Sequence, residues 1–266
     1  MINNKKKLGQ NFLSDKFIID RIISIVHPIK DDIFIEIGAG KGALTANLCK
    51  IAKKVIVIEI DKDLVHILKK LKKKYSNLFI INNDILNINL EKIISTKKNV
   101  RLIGNLPYNI SKKIIIYLIQ KRIFFLDSHF MVQKETKDRI ISNINCKNYG
   151  KLSILCQYFF SIKHILDIYP ESFTPLPKVQ SSFIRLLHKN KKYELKNFDN
   201  LKYVINLAFS KRRKNIKNAL KNYISIADLQ KADVCLHKRA EQIKVSAYCK
   251  IANILHDKYK NLIKKK

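Results

Sequence analysis

The sequence predicts an α/β fold: a doubly wound, Rossmann-like sheet followed by a small C-terminal helical domain. Three observations carry this. Short apolar runs alternate with amphipathic, helix-spaced stretches through the first 188 residues, the pattern of strands joined by crossover helices. The first such run, Ile33 to Ile37, enters the turn Gly38-Ala39-Gly40-Lys41-Gly42 and then a helix-spaced stretch from Ala43 to about Ala52. Strand, glycine turn and helix together mark a nucleotide-type crossover. After the charged segment His188 to Lys196, strand signals cease and the remainder reads as helical and basic. Two domains are therefore expected, 1–188 and 189–266.

The elements follow in order. Gly9-Gln10-Asn11-Phe12-Leu13 is a lead-in, after which Ser14 or Asp15 caps a helix with Phe17, Ile18, Ile22 and Ile25 on its apolar face. Beyond the glycine turn, strand Val55 to Ile60 carries Glu59, 21 positions after Gly38, a spacing that places a carboxylate to grip ribose hydroxyls. Asp61 and Asp63 read as caps for a helix from Leu64 to Tyr75. A third strand, Leu78 to Asn82, runs to Asp84, whose side chain suits an adenine amine. The turn alone leaves a nicotinamide or flavin site open, because Gly38, Gly40 and Ala43 also satisfy G-x-G-x-x-A. Glu36, Glu59 and Asp84 make the expected cleft rich in carboxylates. That favours S-adenosylmethionine, a cation without phosphates, over a dinucleotide.

The apolar run Val100 to Ile103 leads into Gly104-Asn105-Leu106-Pro107-Tyr108, with a helix expected from Ser111 to Gln120. Pro107 cannot donate to a sheet ladder and restrains Leu106, so the strand ends here. An amide, fixed carbonyls and an aromatic face are thereby held at the carboxyl end of a strand, where open α/β sheets place ligands. Acceptors on the Asn105 side chain and the Leu106 carbonyl suit the two hydrogens of an adenine amine, and Tyr108 suits its ring. The plainer alternative is a turn that merely closes a core strand. A helical stretch Ile114 to Ile119, strand Phe124 to Val132, helix Tyr149 to Phe160 and strand Ile162 to Tyr169 continue the alternation. Phe173-Thr174-Pro175-Leu176-Pro177-Lys178-Val179 is a proline-stiffened loop, and Ser182 to Leu187 a closing strand. Phe173 is either a core residue or a second stacking face opposite Tyr108.

The net charge of +32 points to nucleic acid as partner. Of 53 bases only 8 are Arg, as expected where an AT-rich genome drives codons toward Lys, so part of the charge is discounted. Residues 189–266 hold 21 bases and 6 acids, about twice the net charge per residue of the preceding 188. Lys211, Arg212, Arg213 and Lys214 lie there, with two Arg side by side against the drift, and are expected to bind RNA phosphates. Five scattered cysteines without C-x-x-C spacing and dispersed histidines argue for reduced thiols and no metal. No apolar run approaches the ~20 residues of a membrane span, and Met1 to Lys7 lacks the apolar segment of a signal peptide. A cytoplasmic monomer without membrane contact is expected.

Read together, these motifs resemble those of the 16S ribosomal RNA adenine dimethyltransferases over essentially the whole chain. The resemblance rests on Gly9 to Leu13, Glu36 to Gly40, Val57 to Glu59, Asn83-Asp84, Gly104 to Ser111, Met131 to Glu135, Tyr149 to Ser153, Phe173 to Val179 and Phe209 to Ile216. It implies an S-adenosylmethionine site of Asn11, Leu13, Gly38, Glu59, Asp84 and Asn105, with Asn105, Leu106, Tyr108 and Phe173 around the target adenine. It also implies N6 dimethylation of two adjacent adenosines in a hairpin near the 3′ end of small-subunit RNA, on a nearly assembled particle. Ala39 and Lys41 depart from the residues frequent in the family, in a turn that uses main chain. The related 23S ribosomal RNA methyltransferases of macrolide resistance share the first-domain motifs; Leu106 and the Arg212-Arg213-Lys214 run favour the 16S group. A non-catalytic assembly factor on the same fold is the other alternative, disfavoured by an intact Asn105 and Tyr108.

Overall fold

The structure is a computed structural model, and it describes residues 10–94, 99–121, 123–189 and 194–263. Gly9, the basic start at Lys5 to Lys7 and the middle of the charged linker lie outside that range. The described chain forms two compact units, Met1–Lys137 with Ser161–His188, and Asp138–Phe160 with Lys189–Lys266. The second unit thus includes a segment that the sequence reading assigned to the first domain. Its helix (Lys151–Phe159) looks like one more crossover helix in the sequence, but it shares its packing with the C-terminal helices.

In the first unit, β1 (Phe12–Leu13), α1 (Lys16–Val26), β2 (Ile33–Ile37), α2 (Ala43–Cys49), β3 (Lys54–Glu59), α3 (Lys62–Lys72) and β4 (Leu78–Asn82) follow in sequence. A short α4 (Leu90–Ile94) precedes β5 (Val100–Asn105), α5 (Ser111–Gln120) and β6 (Ser128–Gln133). α6 (Lys134–Ile141) spans the division after Lys137, α7 (Lys151–Phe159) belongs to the second unit, and β7 (Phe160–Ile168), β8 (Phe173–Thr174) and β9 (Ser181–His188) complete the first. The second unit adds α8 (Phe198–Ser210), α9 (Ile216–Leu220), α10 (Ile226–Lys231) and α11 (Val245–Ile263).

Seven strands form one sheet in the order β4-β3-β2-β5-β6-β9-β7. β4 through β6 pair in parallel, and β9 lies antiparallel to β6. β2 and β3 are buried along nearly their whole length, as a sheet wound on both faces requires. On one face Phe34, Val55, Val57, Ile103, Met131 and Phe183 join Ile19, Ile22 and Val26 of α1 and Leu44 and Leu48 of α2 in a single core. Asp15 caps α1 by accepting from the Phe17 and Ile18 amides. The buried stripe of α1 is Ile19, Ile22 and Val26, whereas the expected Phe17 is 74% exposed and faces away. The strand expected from Phe124 begins only at Ser128, leaving Phe124 exposed.

Two glycines fit the strands and the turn together. A Cβ on Gly104 would sit 2.4 Å from the Ile37 carbonyl oxygen, so only glycine lets β5 approach β2 at this point. Gly40 has φ +58°, and a Cβ there would meet the Phe12 ring at 2.9 Å. The lead-in segment therefore lies directly against the glycine turn.

Candidate active site

From β2 the chain moves outward to β3 and β4, then returns to β5 on the other side of β2. The carboxyl ends of strands around such a reversal form the crevice in which doubly wound sheets bind ligands. A cavity of about 220 Å³ lies there. Asn11, Leu13, Gly38, Glu59, Asp84, Asn105, Leu106 and Tyr108 all line it, so eight residues scattered over almost a hundred positions converge.

Each is placed by a strand end. Glu59 terminates β3 and is 5% exposed; its Oε2 accepts from the Gly40 amide at 3.0 Å and its Oε1 from the Asp61 amide at 3.0 Å. Burial raises the Glu59 pKa, and the amide hydrogen bonds act against that rise. The carboxylate, which the Ile60 amide also faces, keeps a lone pair for a ligand hydroxyl. Asp84 lies just past β4, with Oδ1 accepting from the Leu86 amide at 2.9 Å. Its Oδ2 accepts from no described residue. Asn82, at the end of β4, donates to the Glu59 carbonyl at 2.8 Å and ties these two strand ends together.

Asn105 ends β5. Its Nδ2 donates to the Asn11 carbonyl at 2.7 Å, which orients the amide and leaves Oδ1 as acceptor. The Leu106 amide donates to the Met131 carbonyl at 3.1 Å, while the Leu106 carbonyl accepts from no described residue. Pro107 caps the strand, and its own carbonyl accepts from Ile110 and Ser111 as α5 begins. Tyr108 is half-buried, and its hydroxyl is hydrogen-bonded to the Ser181 Oγ. Burial raises the Tyr108 pKa, opposed by that bond, so the phenol stays neutral.

Phe173 departs from the expectation of a second stacking face. Its pairing with Leu13 between β1 and β8 turns it into the core with Ile19, Ile22 and Met131. It is 3% exposed and is absent from the cleft lining. Core packing is one of the two sequence readings of this residue.

Glu36, read from the sequence as part of the carboxylate-rich cleft, is joined there by Gln10 and Lys41, which sequence reasoning missed. Glu36 lines the cleft and is 2% exposed; burial pushes its pKa up to about 8, and Thr45 Oγ1 donates to it at 2.6 Å. Gln10 reaches Asp61 at 2.8 Å, and the Lys41 ammonium lies 4.9 Å from the Phe12 ring centroid. These fasten the lead-in over the turn. Among described residues the lining has three acidic side chains, Glu59, Asp84 and a Glu36 that burial tends to keep protonated, against one base, Lys41. That donor set fits a cationic, hydroxyl-bearing cofactor and suits a pyrophosphate poorly.

A profile of the ribosomal RNA adenine dimethylase family matches residues 1–257. The chain belongs to that family. Among its relatives, a ribosomal RNA small subunit methyltransferase A of Buchnera aphidicola is 44% identical, covering 97% of this chain and 95% of that protein. The namesake of Wigglesworthia glossinidia brevipalpis is 43% identical, covering 93% and 96%. A crystal structure of a dimethyladenosine transferase from Plasmodium falciparum superposes with a TM-score of 0.80 at 28% identity, over 93% of this chain and 98% of that one. A 23S rRNA methyltransferase, ErmE, shares the fold at a TM-score of 0.69 and 21% identity, over 92% and 100%.

The dimethylase chain carries its basic cluster in the second unit. α8 ends at Ser210, and Lys211 to Lys214 form the turn before α9, whose cap is Asn215. A cavity of about 730 Å³ is lined by these four residues with Ser210, Asn218 and Lys221. Arg212 differs from its neighbours. It donates to the Lys147 carbonyl at 2.8 Å, and its Nε lies 3.5 Å from Glu241 Oε2. Lys211, Arg213 and Lys214 are exposed and pair with no described acid. No described helix is long and apolar enough to cross a membrane, and no described cluster of His, Cys, Asp or Glu could hold a metal ion.

Proposed function

We propose that this chain transfers methyl groups from S-adenosylmethionine to N6 of two adjacent adenosines in the 3′-terminal hairpin loop of 16S ribosomal RNA in the small subunit. This ties it to small-subunit biogenesis. The observation that carries the reading is the pair of uncommitted acceptors, Asn105 Oδ1 and the Leu106 carbonyl, at the rim of a carboxylate-lined cleft. An exocyclic adenine amine has two hydrogens, and its lone pair is delocalised into the ring. Two acceptors holding those hydrogens favour a pyramidal nitrogen with the lone pair left free to attack. Tyr108 offers the face on which a base flipped out of its stack can rest.

Glu59 and Asp84 would hold the ribose and the adenine of S-adenosylmethionine, with Asn11, Leu13 and Gly38 walling the site. The cofactor supplies an electrophilic methyl group when bound. The attacking nitrogen needs no prior deprotonation, because its proton becomes acidic once the nitrogen is alkylated. Positioning accounts for most of the rate.

Lys211, Arg213 and Lys214 grip RNA phosphates, while Arg212 chiefly braces the turn that presents them. The test is to incubate the protein with unmodified small subunits and labelled cofactor, digest the RNA and look for N6,N6-dimethyladenosine. Label in large-subunit RNA instead, or none, defeats the proposal. In the same assay, Gln at 211, 213 and 214 should weaken subunit binding and flatten its salt dependence by roughly one counterion per lost contact. Cofactor affinity should stay at the parental value.

A further inference from the structure

We propose that Ser181 is a positioning residue for methyl transfer: its hydroxyl pins the Tyr108 phenol and thereby fixes the ring that receives the target base. The inference rests on the reading that Tyr108 stacks on that base.

Tyr108 leaves the chain just past β5, and Ser181 opens β9. β6 lies between those two strands, so at the usual spacing of ~4.8 Å they are roughly 10 Å apart. The Tyr108 side chain spans this gap across the carboxyl end of β6, whose Met131 also lines the cleft. Both anchorages are rigid. On one side the Pro107 carbonyl takes the Ile110 amide at 3.1 Å and the Ser111 amide at 2.9 Å. On the other, Ser181 is fully buried and in register with Gln133, and the Gln180 carbonyl before it accepts from the Lys134 amide at 2.9 Å.

With its backbone held and its hydroxyl held, the side chain has one position along χ1. A phenol without that partner could swing between staggered wells, and a stacking platform that swings must be ordered each time a base arrives. The contact joins residues 73 positions apart, and its two members face different surroundings. Ser181 lies wholly inside the sheet, while the ring it holds borders the cleft.

Stability and positioning can be separated, because replacing both members of a buried hydrogen bond by apolar groups of the same shape is nearly neutral for folding. Ser181→Ala and Tyr108→Phe should each lower kcat on small subunits by roughly 3- to 10-fold, the range set by one hydrogen bond. Cofactor affinity and KM for subunits should be unchanged. The double variant should regain the parental melting temperature yet keep the lowered kcat, with no further drop. If its kcat recovers together with its stability, Ser181 serves packing alone and the inference fails. Effects of the two singles that multiply in the double overturn it too, since Ser181 would then act through another contact. Tyr108→Ala separates this from the parent reading. A parental rate in Tyr108→Ala removes the stacking role itself. A strongly impaired Tyr108→Ala beside a fully active double variant removes only the role of Ser181.

Discussion

The two ends of the central sheet both bury polar and charged groups, yet they treat them in opposite ways. At the amino end Arg101, the second residue of β5, is fully engaged. Its Nε and NH2 donate to Asp127 at 2.8 and 2.9 Å, and its NH1 donates to Asp32 at 2.9 Å. The Val26 and His27 carbonyls accept from it as well, and Arg185 closes on Asp127 at 2.8 Å. At the carboxyl end of the same strand, Asn105 and Leu106 hold acceptors that nothing described satisfies. A satisfied network locks strands and helices together. An unsatisfied one, at the mouth of a cleft, is what a ligand can complete. Residual hydrogen-bonding capacity marks a site where it opens on a cleft; Ser128 Oγ and Arg185 Nε, beside the Arg101 network, also have no described hydrogen-bond partner but do not line the cleft.

Breaking the satisfied end should have the largest effect on folding. Arg101→Met leaves Asp32 buried without its arginine and Asp127 with Arg185 alone, and should cost about 3–5 kcal/mol in denaturant unfolding. The folded fraction should still bind cofactor with parental affinity; a stable variant that loses cofactor affinity would mean the two ends are not independent. Phe173→Ala, which opens the core beneath Leu13, should cost about 3–5 kcal/mol as well. A variant of parental stability with impaired transfer would instead return Phe173 to the stacking role.

At the unsatisfied end, Glu59→Ala and Asp84→Ala should each weaken cofactor binding by ~1–3 kcal/mol, the cost of losing a hydrogen bond to a buried polar partner. Calorimetry giving parental affinity for both would remove them from the site.

A further effect is one of pH, and the ends should differ in sign. Glu36 titrates near 8 in the folded state and in the ordinary carboxylate range when unfolded. Between those values the native state holds the extra proton, so this group lowers stability as pH rises toward 8. Burial raises the Asp127 pKa, but the Arg101 hydrogen bond and the neighbouring charges outweigh it and hold the pKa below the ordinary value. Its contribution is present at neutral pH and is lost as pH falls through the acid range. Unfolding free energies at pH 5, 6.5 and 8 should therefore fall for the parent relative to Glu36→Gln. Parallel curves would show that Glu36 is charged in the folded protein.

Much of this protein is legible along the chain because its signals are local. β2, β4 and α5 lie where apolar periodicity, glycine and proline place them, since such signals act within a few residues. The cleft was legible for a related reason. Parallel strands joined by crossovers bring every carboxyl end to one edge, so Gly38, Glu59, Asp84 and Asn105 must meet once each is assigned to a strand end. What the tertiary structure decided is partnership across distance. Arg101 finds Asp32 from 69 positions away, and Tyr108 finds Ser181 from 73. A two-residue pairing turned Phe173 inward, and α7 was drawn to the C-terminal helices. Each outcome depends on which surfaces are left to cover after the strands have paired. That is a property of the assembled sheet, and the residues themselves carry no local mark of it.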